Sequence, residues 1–220
     1  MSAKIFLDPG HGGHDGGAFG PTGLREADVV LAVCLRLRAA LMAGGFEVKM
    51  SRETDTYPSL SDRCHMSNDW GSDLFLSVHC NSADNDASGI ETFHAVGSKN
   101  GVRAAARVQE EMMYSFSGHK DRGVKARNFK VLRSTKAPAV LAELEFIQTI
   151  SGEKHLRNEH VQAVCSDALH RGVLRYFDLI GPSNTMEKKE PVAAVLVTDK
   201  SVADEIADLS AKIIQLTKNL

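Results

Sequence analysis

The sequence predicts an α/β fold whose central sheet is mostly parallel, and three observations carry that expectation. Short apolar runs alternate with segments of three-and-four helical spacing, and strands separated by helices pair in parallel because parallel neighbours need a crossover. One run, Asp73 to His79 (DLFLSVH), is almost continuously apolar, as a strand covered on both faces requires. A glycine-rich loop, HGGHDGGAFGPTG from His11 to Gly23, follows the first run, at the carboxyl end of a strand, where such sheets collect ligands.

Lys4 to Asp8 is an apolar strand stopped by Pro9-Gly10, and the glycines beyond it let the backbone go where side chains would clash. From Glu26 onward Val30, Val33, Leu37 and Leu41, with Cys34 beside Val33, recur at spacings of three and four. This predicts a helix, with Gly44-Gly45 as its stop. Phe46 to Met50 alternates as a second strand, Leu60 to Trp70 reads as a second helix, and DLFLSVH is the third strand. Beyond the polar loop Asn81 to Ser88, Ile90 to Ala95 is a strand and Val102 to Phe116 a helix. Phe129 to Arg133 and Ala139 to Phe146 read as two further strands joined by the turn-forming STKAP. A helix from about His160 to Phe177 closes a domain of residues 1–180.

The composition shifts at Gly181: GPSNTMEKKEP, residues 181–191, is a polar, Pro-flanked linker. Residues 192–220 form a small C-terminal appendage, a strand over Val192 to Val197 and an amphipathic helix over Ser201 to Leu220. In that helix Val202, Ile206, Leu209, Ile213, Leu216 and Leu220 make a narrow a/d seam. It is too short for a self-standing coiled coil, and offers either a homo-oligomer contact or a face that docks on its own chain.

Charge and cysteine usage exclude several function classes. Lys plus Arg number 26 against 28 Asp plus Glu, a formal charge of −2, which leaves no electrostatic footprint for nucleic acid or for an anionic membrane surface. A chain that is 43% hydrophobic and 25% charged builds an ordinary globular core. Cys34, Cys64, Cys80 and Cys165 are widely spaced without a C-x-x-C pair, so reduced, buried thiols are expected rather than a thiolate metal site or a disulfide framework. No apolar run approaches the roughly 20 residues that span a bilayer. The opening MSAKIFLDPGHGG enters a strand without the cationic and apolar regions of an export signal.

Nine histidines in a nearly neutral chain invite a search for metal ligands. His11 lies just past the first strand, Glu26 opens the first helix and His79 ends the DLFLSVH strand. Two imidazoles and a carboxylate are the ligand set of an open catalytic zinc site. Each residue alone has a plainer reading, a hydrogen-bonded histidine or a helix-dipole glutamate. Their joint placement with Glu143, an acid that ends the apolar run PAVLAE, favours chemistry, because burying a carboxylate there is costly without a task. His65, His94, His119, His155, His160 and His170 read as structural or surface residues. His14 and Asp15 read as exposed loop residues, the alternative being a hydrogen bond that fixes a ligand imidazole.

Asp8-Pro9-Gly10-His11-Gly12-Gly13, with Asp15, Gly17-Ala18, Gly23 and Glu26 at their offsets, resembles the opening signature of the zinc-dependent N-acetylmuramoyl-L-alanine amidases of the Amidase_3 family. LFLSVHCNS (Leu74 to Ser82), GIETF (Gly89 to Phe93) and DRGVKARNFKVLRSTKAPAVLAE (Asp121 to Glu143) resemble its later motifs in order, so the likeness covers about Lys4 to Phe177. The resemblance implies a central sheet of about six strands flanked by helices, and one Zn²⁺ held by His11, Glu26 and His79. It implies hydrolysis of the amide between the lactyl group of N-acetylmuramic acid and the L-alanine of the peptidoglycan stem peptide. Zinc would polarise the carbonyl and lower the pKa of water from 15.7 towards about 7, with Glu143 as general base.

One departure stands at the catalytic strand. The family reads Glu-x-Gly-Phe there, whereas this chain has Glu143-Leu144-Glu145-Phe146. In an extended segment residues two apart share a face, so Glu145 is expected beside Glu143, lining the substrate groove and meeting an amine of the stem peptide; the plainer reading has it facing water. Arg133 and Lys125 are candidates for the stem-peptide carboxylates or for ordinary ion pairs. Two other functions fit the same residues: a wall-binding module without turnover, and a zinc hydrolase of another amide. The setting expected is the bacterial cell wall. A phage endolysin held in the cytoplasm until release, or an autolysin separated from its export signal, fits the opening residues, and the appendage suits a wall-binding or oligomerising role.

Overall fold

The computed structural model describes residues 2–179 and Gly181; the linker beyond Gly181 and the strand and helix expected over 192–220 lie outside the described residues. The chain runs β1 (Lys4–Pro9), α1 (Glu26–Ala43), β2 (Glu47–Met50), α2 (Leu60–Trp70), β3 (Leu74–Asn81) and β4 (Ile90–Ala95). It continues through α3 (Lys99–Ser115), β5 (Asp121–Arg127), α4 (Lys130–Arg133), β6 (Ala139–Phe146), α5 (Ile150–Arg157) and α6 (Glu159–Tyr176). The six strands make one sheet in the order β2-β1-β3-β6-β4-β5. Only β4 with β6 is antiparallel among these pairings, so the sheet is mostly parallel, as the alternation of strands and helices requires.

Both faces of the sheet are covered, which explains the unbroken apolar run of β3. Leu74, Leu76 and Val78 join Ile5, Leu7, Val140, Ala142 and Leu144 in a core built with α1, α3 and α6. Phe75 points the other way, stacked on Phe6 with ring centroids 5.8 Å apart, in a smaller cluster with Cys64 of α2 and Val131 and Leu132 of α4. All four cysteines are free and buried, as expected. Among the described residues no helix is long and apolar enough to cross a membrane.

One expectation needs correction, and two elements join those expected. Phe129 to Arg133 is not a strand: Phe129 is the N-cap of the short helix α4, whose Val131 and Leu132 bury one turn against the smaller cluster. The strand in its place is β5, Asp121–Arg127, which pairs only with β4 and lies at the sheet edge. An edge strand with half-exposed side chains carries no apolar alternation, and DRGVKAR shows none. Helix α5 is also absent from the sequence reading, because ISGEKHLR is short and holds a glycine. Its start is fixed by Thr149, whose side chain accepts from Gly152 N at 3.0 Å.

Candidate functional site

His11, Glu26 and His79 converge at the carboxyl ends of β1 and β3. Glu26, the first residue of α1, is only 3% exposed, and its carboxylate lies between the two imidazoles. Its Oε1 is 2.9 Å from His79 Nδ1 and 3.3 Å from His11 Nε2 and accepts from Cys80 N at 2.9 Å, while Oε2 accepts from Ala18 N at 2.8 Å. The two imidazole centroids are 5.0 Å apart and nearly perpendicular, at 80°. One ligand atom from each of the three residues lies within 4.8 Å of the others.

The loop is shaped around these side chains. A Cβ on Gly10 would stand 2.3 Å from His79 Cε1, and one on Gly17 would stand 2.6 Å from Glu26 Oε2 and 2.7 Å from His11 Cδ2. These two glycines therefore leave room for the His11, Glu26 and His79 side chains. Asp15, read from the sequence as an exposed residue, holds His11 Nδ1 at 2.9 Å and turns Nε2 towards Glu26. Its neighbour His14 instead packs on Tyr57, with centroids 4.1 Å apart.

The charges in this cluster answer one another. Burial works against protonation of His11, but the hydrogen bonds and charges of Glu26 and Asp15 outweigh it and raise the imidazole to about 9. His79 is raised in the same way against its burial, chiefly by Glu26. Burial also opposes ionisation of Glu26, yet the two imidazoles hold its carboxyl far below the usual carboxylate range. Two imidazoles around one buried carboxylate are a donor set that a divalent cation fits.

Glu143 sits beside this cluster, paired in register with His79 where β6 meets β3. Its Oε2 is buried and has no hydrogen-bond partner among the described residues. Burial raises its carboxyl to about 7; the imidazoles of His79 and His11 oppose the rise, and Glu26 and Glu91 add to it. Glu91, on β4, was not singled out in the sequence. It is buried and touches Lys125 Nζ and Asn81 Nδ2, with Arg122 Nε 3.3 Å away. Lys125 thus meets a carboxylate of its own chain, while Arg133 ends α4 as an exposed residue.

Glu145 is not part of the His11, Glu26 and His79 group. Between His79 and Asn81 on β3 the register shifts against Glu143 and Phe146 on β6, so the segment is not regularly extended there. Glu145 is 3% exposed. It accepts from Gly89 N at 2.6 Å and Phe146 N at 2.8 Å, and lies 2.8 Å from His119 Nδ1. It lines a cavity of about 180 Å³ together with Ser88, His119, Lys120, Thr149 and His155. His119 and His155 stand side by side on this cavity, with centroids 4.4 Å apart.

A mostly parallel sheet with a His–Glu–His cluster and a buried carboxyl oxygen beside it, at the carboxyl ends of the strands, is where an α/β enzyme keeps its chemistry. The sequence model of the N-acetylmuramoyl-L-alanine amidase family matches residues 5–175, and the chain belongs to this family of peptidoglycan amidases. It is 36% identical over 180 residues to the N-acetylmuramoyl-L-alanine amidase LytC of Bacillus subtilis, a match covering 80% of this chain but 36% of LytC. It is 35% identical over 206 residues to the sporulation-specific N-acetylmuramoyl-L-alanine amidase of the same organism, covering 93% of this chain and 79% of the relative. The crystal structure of an N-acetylmuramoyl-L-alanine amidase from Clostridium difficile 630 superposes with a TM-score of 0.77 at 36% identity, over 82% of this chain and 99% of that one.

Proposed function

We propose that the protein hydrolyses the amide bond between the lactyl group of N-acetylmuramic acid and the L-alanine of the stem peptide, with Zn²⁺ held by His11, Glu26 and His79. The observation that carries the reading is the buried, unpartnered Oε2 of Glu143 beside the three gathered ligand side chains, in a chain of this family. Bound there, Zn²⁺ supplies Lewis-acid polarisation of the scissile carbonyl and acidifies water towards a pKa of about 7.

The chain's own residues do the rest. Asp15 holds His11 Nδ1, so that Nε2 faces the centre. Glu143 Oε2 takes the proton of the attacking water and returns it to the departing alanine nitrogen, a transfer suited to a buried carboxyl whose surroundings favour holding a proton. Lys125 and Asn81 hold Glu91 beside the base, which limits the negative field at Glu143. Glu145 forms the wall of the neighbouring cavity, and meeting a stem-peptide amine requires its bond to His119 to open.

Peptidoglycan is the macromolecular partner and the bacterial cell wall the place of action. Mass spectrometry of sacculus digests with and without chelator tests the reading. New L-alanine amino termini that vanish with chelator are expected. Cleavage at a glycosidic bond, cleavage indifferent to chelator, or binding of sacculi without turnover would overturn it.

A further inference from the structure

We propose that Arg52 is a positioning residue of the metal centre: one nitrogen of its guanidinium fixes the spacing between the backbones that carry His11 and Glu26. The inference rests on the reading of His11, Glu26 and His79 as metal ligands.

Arg52 follows β2 and is 3% exposed. Its Nη2 donates to Gly10 O at 2.7 Å and to Ala27 O at 2.8 Å. Gly10 immediately precedes His11 and Ala27 immediately follows Glu26, so the two hydrogens of a single nitrogen tie together the two ligand-bearing segments. Nε donates to Pro9 O at 3.1 Å and Nη1 to Thr54 O at 3.2 Å, which leaves the guanidinium no freedom to turn. Arg63 completes the cradle, donating to Pro9 O and His11 O at 2.7 Å each. The two arginines differ in one respect. Arg63 lies 2.8 Å from the buried carboxylate of Asp8, whereas among the described residues no carboxylate comes within salt-bridge distance of Arg52.

A buried cation solvated only by carbonyls is costly, and an apolar side chain of similar volume would fill the same space more cheaply. What an apolar chain lacks is the set of three N–H groups directed at Pro9, Gly10 and Ala27 O, on the backbone beside His11 and Glu26. That backbone needs holding, because His11 has φ 57°, a region side-chain-bearing residues rarely occupy. A lysine keeps the charge but offers tetrahedral donors on a flexible stem, so it does not reproduce a planar fork between two carbonyls.

The test is Zn²⁺ affinity by chelator competition, with the visible spectrum of the Co²⁺-loaded protein as a report on ligand geometry. Arg52→Lys and Arg52→Gln are compared with wild type, with His11→Ala and with Arg175→Gln. Arg175 is a buried arginine that joins α6 to Glu111 of α3 at 2.8 Å and serves as a control for general loss of stability. Zn²⁺ affinity about 10–100-fold weaker in both Arg52 variants, the range for loss of a residue that orients a ligand, is expected, with an altered Co²⁺ spectrum. Arg175→Gln should leave both readouts at wild-type values even where its Tm falls as far. Wild-type affinity and spectrum in folded Arg52→Lys or Arg52→Gln, or an equal loss in Arg175→Gln, would overturn the proposal. Arg52→Lys, which keeps the buried charge, decides the matter if Arg52→Gln does not fold. A wild-type protein that binds no Zn²⁺, or that His11→Ala matches in affinity, removes the ligand reading itself and is distinguishable from failure at Arg52 alone.

Discussion

Glu91 of β4 and Glu143 of β6 are register partners across the antiparallel pairing of an otherwise parallel set of strands. Inserting β6 between β3 and β4 puts Glu143 next to His79 on one side and Glu91 on the other. Glu143 thus stands between a group that favours its charged form and one that opposes it.

Glu143→Gln should lower kcat by about 10²–10⁴, the usual contribution of a positioned general base, with little change in Zn²⁺ content. In the metal-free protein the sign of its pH effect follows from a carboxyl raised to about 7 from the ordinary 4.5. The folded state keeps a proton that the unfolded chain releases, so this group's contribution to stability falls as pH rises from 4.5 through 7. Thermal melts of the metal-free protein should show that fall in wild type and its absence in Glu143→Gln. Identical pH profiles of Tm would refute the burial of this carboxyl.

Lys125→Met should move the acidic limb of the kcat/KM profile to higher pH. Lys125 neutralises Glu91, and Glu91 raises Glu143. Removing the cation leaves a stronger negative field, so the base ionises later. A higher KM with an unmoved limb would instead mark Lys125 as a contact for the substrate's carboxylates.

The difference between what the sequence shows and what it hides follows from this topology. His11, Glu26 and His79 are legible because each stands at the end of a strand or the start of a helix with a clear hydrophobic period, so their convergence follows from the α/β plan. Glu91 lies inside GIETF with no marker, and becomes a neighbour of Glu143 only through a long-range antiparallel pairing that no local pattern encodes. Arg52 and Asp15 act through bonds to backbone carbonyls and to an imidazole, in loops without periodicity. Edge strand β5 and the single-turn α4 escaped for the related reason that exposure and brevity erase the pattern.

Zn²⁺ affinity should rise with pH up to about 9 and level off beyond it. His11 without metal is raised to about 9, so at neutral pH the cation displaces a proton from it, and His79 is raised as well. The same shift makes the His11 contribution to the stability of the metal-free protein complete below the ordinary 6.5 and lost as pH rises through 9. Calorimetric titrations in buffers of different ionisation enthalpy measure the protons released. Asp15→Asn should reduce that release and weaken Zn²⁺ binding about 10–100-fold, and a binding constant independent of pH between 6 and 9 would contradict the account of His11.

Glu145→Gln should lower Tm and leave KM for sacculus fragments near its wild-type value. The carboxylate accepts two backbone N–H groups, from Gly89 and Phe146, and faces His119 Nδ1, so its oxygens are already engaged within the protein. Both backbone N–H groups meet Oε1, so a glutamine keeps those bonds with its own oxygen and sets its amide N–H against His119 Nδ1; where that nitrogen carries its proton, a buried donor without an acceptor costs about 1–3 kcal/mol. His119→Leu in the same background should add little further loss, because both substitutions break one contact and so are not additive. A Tm unchanged in Glu145→Gln with KM raised several-fold would place this carboxylate in the substrate groove after all, meeting an amine of the stem peptide, and would show that its bond to His119 opens when substrate binds.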